Sequence, residues 1–176
     1  MRFVEFLRAT VVLTAAAASA LGVLAVLVAA PMGRSTLLVA TLGWWIVAVA
    51  LGLWLGRRQQ ASPAIARLLA RAKASPALPA EHPGTILLNR LWPLLAVTII
   101  AGALALVAPQ VPGIGAGFAI AGALAWRRQH AAVAAIEQRD GVCFYVLRTS
   151  PLQPIALQRT PGFKSLAPDA RGRALP

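Results

Sequence analysis

Apolar residues run along this chain in four long blocks, and nearly every charge falls between them. Residues 9–30, 36–56, 91–108 and 111–126 contain no Asp, Glu, Lys or Arg, and Arg34 is the only charge between the first two blocks. Crossing the ~30 Å hydrocarbon core of a bilayer takes about 20 apolar residues, since each helical residue rises ~1.5 Å. The first three blocks meet that requirement, whereas the fourth reaches only about 24 Å. The pattern predicts an all-α membrane protein. Its core would be a four-helix transmembrane bundle over residues 1–140, with a polar loop at 57–90, a helical extension at 127–140 and a basic tail at 141–176. Arg2, Arg8 and Ala18-Ser19-Ala20 imitate the parts of a signal peptide. The first block is longer than the ~7–15-residue core of such a signal, so a retained helix is expected.

The polar segments carry patterns of their own. In the middle loop, Ser62 is a good N-cap and Pro63 suits the first helical position. Ile65, Leu68, Leu69 and Ala72 then recur at helical spacing, with Arg67, Arg71 and Lys73 on the other face and its flank. This short amphipathic helix either lies on an anionic leaflet or serves as a solvated connector. A proline-punctuated linker follows at 75–84, and Thr85 is placed to cap the third span, which Pro93 would kink. Gly141 ends the extension helix. Beyond it, Val142 to Leu147 reads as a strand that would pair with Pro154–Leu157 across the turn at Arg148–Pro151, a β-hairpin-like appendage within 142–159. Two strands alone are marginal in water, so the hairpin needs the loop helix, a second copy or a partner. The last dozen residues read as disordered.

Charge sets the orientation. Two cations precede the first block, six lie in the middle loop and eight follow the fourth block, which leaves Arg34 alone on the other side. By the positive-inside rule both termini are cytoplasmic. Trp54, Trp92 and Trp126 mark one membrane interface, and the long stems of Arg57, Arg58, Arg127 and Arg128 can snorkel to it. Composition agrees with a bilayer environment. Of the 176 residues 59% are hydrophobic and 12% charged, against about 25% charged in soluble proteins. The net charge of +12 is therefore first an orientation signal, with anionic lipid headgroups as the expected partner and nucleic acid not expected. An Ala-rich, Lys-poor chain points to a bacterial plasma membrane.

Candidate chemistry is sparse. Gly113, Gly117, Ala121 and Ala125 recur every four residues and predict close helix packing, within the bundle or between copies of a homo-oligomer. The glycine-rich run 113–117 lacks the strand–loop–helix context of a phosphate loop. Trp44 and Trp45, in the middle of the second block, read as aromatic packing. Glu137, Arg139 and Asp140 read as a solvated helix end, and the five acids form no pair suited to acid–base work. His82 and His130 have no second ligand at metal spacing, and the lone Cys143 has no base beside it. No catalytic residue, metal or cofactor is expected. The functional expectation is a non-catalytic accessory or scaffold protein. It would engage a cytoplasmic or membrane protein through Phe144, Tyr145, Arg148 and Arg159, on a tail that can be removed without harm to the spans. The competing expectation is an oligomeric transporter or channel subunit, and the absence of intramembrane charge argues against ion coupling.

Overall fold

The computed structural model describes residues 1–30, 35–57, 60–75, 82–150 and 153–161. Four long helices dominate it. These are α1 (Phe3–Ala29), α2 (Ser35–Leu55), α4 (Pro83–Ala103, prolonged by a 3₁₀ turn at Leu104–Leu106) and α5 (Gln110–Trp126). The first three are long and apolar enough to cross a membrane. α5, at 17 residues, spans about 26 Å. Shorter elements complete the chain: α3 (Pro63–Ala70), β1 (Lys73–Ala74), α6 (Gln129–Asp140), β2 (Val142–Val146) and β3 (Leu157–Pro161).

Several boundaries follow local chemistry. The Ser62 hydroxyl accepts from the Ile65 amide and caps α3, with Pro63 at the first position. Gly141, at φ 63°, terminates α6 in the left-handed region that a side chain disfavours. Two helices begin earlier than the apolar blocks. α1 starts at Phe3, so Glu5 and Arg8 are helical. α4 starts at Pro83 with His82 before it, so Thr85 lies inside the helix and does not cap it. Proline at the first helical position gives up only an amide that would have no partner there. Pro93 sits within α4.

α5 packs mainly against α1 and α2, and α4 lies along α1 with fewer contacts. The shortest of the four long helices is thus the central one. Pro112, Gly113, Ala116, Gly117 and Ala123 are buried in it, and their small or compact side chains let neighbouring backbones close in. The hydroxyls of Thr10, Thr14, Ser19, Thr41 and Thr98 each donate to the carbonyl four residues back, so none needs a partner outside its own helix.

At one end the helices carry a folded cap. β2 pairs antiparallel with β3, Phe144 opposite Arg159 and Val146 opposite Leu157, and β1 adds in parallel on the far side of β3. The chain start extends the sheet beside β2: Arg2 bridges Tyr145, and the Val146 amide donates to the Met1 carbonyl at 3.0 Å. The second strand is therefore Leu157–Pro161 and not Pro154–Leu157, and it carries Arg159. A single apolar cluster joins the cap to the helices through Phe3, Phe6 and Leu7 of α1, Ile65 of α3, Ile86 of α4, Val133 of α6, and Phe144, Val146 and Leu157 of the sheet. The amphipathic loop helix accordingly turns its apolar face onto protein, with Ile65 1% exposed and Leu68, Leu69 and Ala72 packed around it. That corrects both sequence readings, the lipid-lying helix and the free connector. β2 and β3 share this core through Phe144, Val146 and Leu157, so they are built into the molecule and are not an appendage.

Candidate functional site

Two constructions bring distant side chains together, and the first is the seam between α2 and α5. The helices run parallel, and the α5 stripe of Gly113, Gly117, Ala121 and Ala125 meets α2 along its length. A Cβ added at Gly113 would lie 2.8 Å from Thr41 Cγ2, and one at Gly117 would overlap the Trp44 indole. Toward the cap, α2 answers with small residues of its own. A Cβ at Gly52 would come within 2.8 Å of the Ala121 carbonyl oxygen and of Leu124 Cβ, and one at Gly56 would overlap the Leu124 carbonyl. The four-residue repeat Ala48, Gly52, Gly56 was legible in the chain but is masked there by the bulky residues around it.

The mid-helix tryptophans belong to the same seam. Trp45 Nε1 donates to the Gly113 carbonyl at 2.8 Å and Trp44 Nε1 to the Ile114 carbonyl at 3.2 Å. The residue one turn after Gly113 is Gly117, which has no side chain to cover that carbonyl. An indole N–H away from water is costly without an acceptor, so the glycine spacing solves the problem that the tryptophans pose. Trp44 also meets Phe118 edge to face at 5.2 Å. Beside the seam, α1, α2 and α5 enclose an apolar groove of about 710 Å³ between Ala18, Gly22, Val26, Trp45 and Ile120.

The second construction holds the cap. Glu137, read from sequence as solvated, is 5% exposed. Its Oε2 accepts from Arg2 Nη2 at 2.6 Å and its Oε1 from the Phe144 amide at 2.9 Å. One carboxylate thus fastens α6 to the chain start and to β2. The hydrogen bond to Glu137 pushes the Arg2 pKa up, against the smaller opposing effect of burial. The neighbouring Arg139–Asp140 pair, at 2.8 Å, stays in solvent as the sequence implied, and its hydrogen bond holds the Asp140 carboxyl below the usual range. On the other side of the cap, Asn89 Nδ2 donates to the Thr149 carbonyl at 2.8 Å. Arg90 reaches the Gln153 carbonyl at 2.6 Å, the Pro154 carbonyl at 3.3 Å and the Thr149 hydroxyl. Arg90, counted in the sequence as one loop cation among six, is a clamp between α4 and the β2–β3 connection.

The remaining sequence candidates divide by exposure. Trp54, Trp92 and Trp126 are 64%, 48% and 45% exposed. Arg57 and Arg128 are exposed and Arg127 is half-buried, while Arg58 lies outside the described residues, as do Pro151 and the segments 31–34, 76–81 and 162–176. Of the four residues expected to touch a partner, Arg148 and Arg159 are exposed and Tyr145 is half-buried. Phe144 is 3% exposed, so its ring serves the core and presents no surface. Among the described residues no three His, Cys, Asp or Glu side chains gather into a metal-binding group. His130 and Cys143 are half-buried. Compared with known proteins, the chain matches no protein-family model, no curated protein and no solved structure.

Proposed function

We propose that the chain is a four-pass, non-catalytic protein of a bacterial plasma membrane, with both termini and the cap in the cytoplasm, acting as an accessory or scaffold. The observation that carries this reading is the one-sided distribution of charge. Sixteen cations precede the first apolar block, lie in the middle loop or follow the fourth block, and one lies between the first two blocks, a bias that under the positive-inside rule favours one orientation. α5 makes the fourth crossing despite its length, because α1 and α2, and not lipid, are its main neighbours. The cap supplies the working surface. With the apolar face of α3 turned inward, Arg67, Arg71 and Lys73 face solvent, and Arg148 and Arg159 add exposed charge on the sheet side. Such a surface favours an acidic partner by complementary potential.

Reporter fusions test the orientation. Fusions after Arg34 and Gln110 are expected outside, and fusions after Lys73 and Pro176 inside. An external signal at Lys73 defeats the four-pass arrangement. Partner engagement is tested by co-purification of the full chain in mild detergent: replacing Arg148 and Arg159 by Ala should weaken capture and flatten its salt dependence. Unchanged capture would remove the basic cap from the account.

A further inference from the structure

Where α2 ends, a cavity of about 630 Å³ opens between Trp54, Leu55, Arg57, Gln60, Ser62 and Gln129. Its wall changes character along its length. Trp54 and Leu55, 64% and 56% exposed, continue the apolar surface of α2, while the far wall is the start of α3 and the start of α6. At that polar end the residues are donors. Arg57 is exposed, and its guanidinium has no hydrogen-bond or ion-pair partner among the described residues. α3 points its N-terminal end, the positive end of the helix dipole, at the wall formed by Ser62 and Pro63. Gln129 is the independent sign of a missing ligand. It is 8% exposed, and its Oε1 is occupied by the Ser62 amide at 2.9 Å. Its Nε2 donates to nothing among the described residues. Because Gln129 lines the cavity, that amide is a donor open to a bound acceptor. Among the described residues no carboxylate lines the space, and the buried Glu137 is committed to Arg2.

We infer that this cavity binds the phosphate of an anionic phospholipid, with Arg57 and the Gln129 amide as donors and the lipid's glycerol and acyl portion lying along Trp54 and Leu55. The amphipathic wall selects lipid over free phosphate, because a soluble anion would leave the Trp54–Leu55 side unused. The inference rests on the proposed reading only in placing Trp54 at headgroup depth. Binding in detergent needs no orientation, so an inverted topology would flip the reporter signals and leave this binding intact.

Native mass spectrometry of the full chain in mild detergent tests it, with titrations of phosphatidylglycerol, phosphatidylcholine and inorganic phosphate. One phosphatidylglycerol should bind at concentrations where phosphatidylcholine does not. Arg57→Gln should weaken it about tenfold, the scale of one charge-assisted hydrogen bond. Gln129→Glu keeps the acceptor that Ser62 needs and replaces the idle donor with negative charge, so it should abolish selectivity for the anionic lipid. Arg148→Gln, remote on the cap, should leave binding unchanged. Equal affinity for phosphatidylcholine, or unchanged binding in both Arg57→Gln and Gln129→Glu, overturns the proposal. Inorganic phosphate bound as tightly as the lipid overturns it too, by assigning the site to soluble anions.

Discussion

Glu137 sits in the run Glu137-Gln138-Arg139-Asp140, which has every local mark of a solvated helix end; Gln138, Arg139 and Asp140 are exposed and fit it, and Glu137 does not. What decides is the third dimension: β2 folds back against α6 and the chain start arrives beside it, so one carboxylate meets the Phe144 amide and Arg2. Losing it has an uneven cost. The Phe144 amide is buried and would be left without an acceptor, at about 1–3 kcal/mol. Arg2, with 46% of its side chain exposed, can return to water, so the loss falls short of the ~3–5 kcal/mol seen for fully buried pairs. Glu137→Ala is therefore expected to lower stability by about 2 kcal/mol. Glu137→Gln, which keeps a neutral acceptor, should cost about half of that. Thermal unfolding in mild detergent reads both, and equal losses for the two substitutions would show that the amide contact contributes nothing.

At the scale of elements, the seam was half legible. The four-residue spacing on α5 announced a close-packed face, and packing within the bundle was one of two readings kept open for it, with no sign that α2 would be the neighbour. The matching face of α2 did not stand out, because Gly52 and Gly56 are embedded in Leu53, Trp54 and Leu55, which dominate any apolar pattern. β3 was hidden for the opposite reason. Leu157-Gln158-Arg159-Thr160-Pro161 lacks a strand's composition, and its conformation comes from pairing with β2 on one side and β1 on the other. The seam makes a contrast available within one helix pair. Gly117→Ala drives a methyl into the Trp44 indole, whereas an added Cβ at Gly43 meets nothing within 4 Å. Overpacking costs ~1–3 kcal/mol, and exchanging glycine for alanine in an open helical site gains up to ~1 kcal/mol. Gly117→Ala should thus lower the unfolding temperature and Gly43→Ala should hold or raise it. A similar drop in both would mean that α2 does not seat on α5 through this face.

At the scale of the whole molecule, the block pattern foretold the long helices, while the core of the cap draws on residues from both sides of the boundary it set between membrane core and tail. Apolar blocks report where water is excluded by lipid. They say nothing of Phe3, Phe6 and Ile86, which lie at helix starts outside the blocks and are buried by protein. The cluster they form with Ile65 and Val133 is closed by Phe144, Val146 and Leu157 of the sheet. Removing residues 142–176 takes those three side chains away and uncovers the rest. Each fully buried apolar side chain contributes about 1.5–3 kcal/mol, an upper figure because unfolded chains are already partly compact. The truncated protein should still insert, since insertion follows the apolar blocks. It should unfold at a markedly lower temperature, aggregate in mild detergent, and be cut by trypsin at Arg67 and Arg71, because α3 loses part of the core that holds Ile65. The single substitution Phe144→Ala, at ~3–5 kcal/mol, should reproduce the trypsin sensitivity with the chain otherwise complete. If the truncated protein keeps the full-length unfolding temperature and its α3 stays resistant, the cap does not share a core with the helices, and the scaffold would have to act through a tail that folds independently of them.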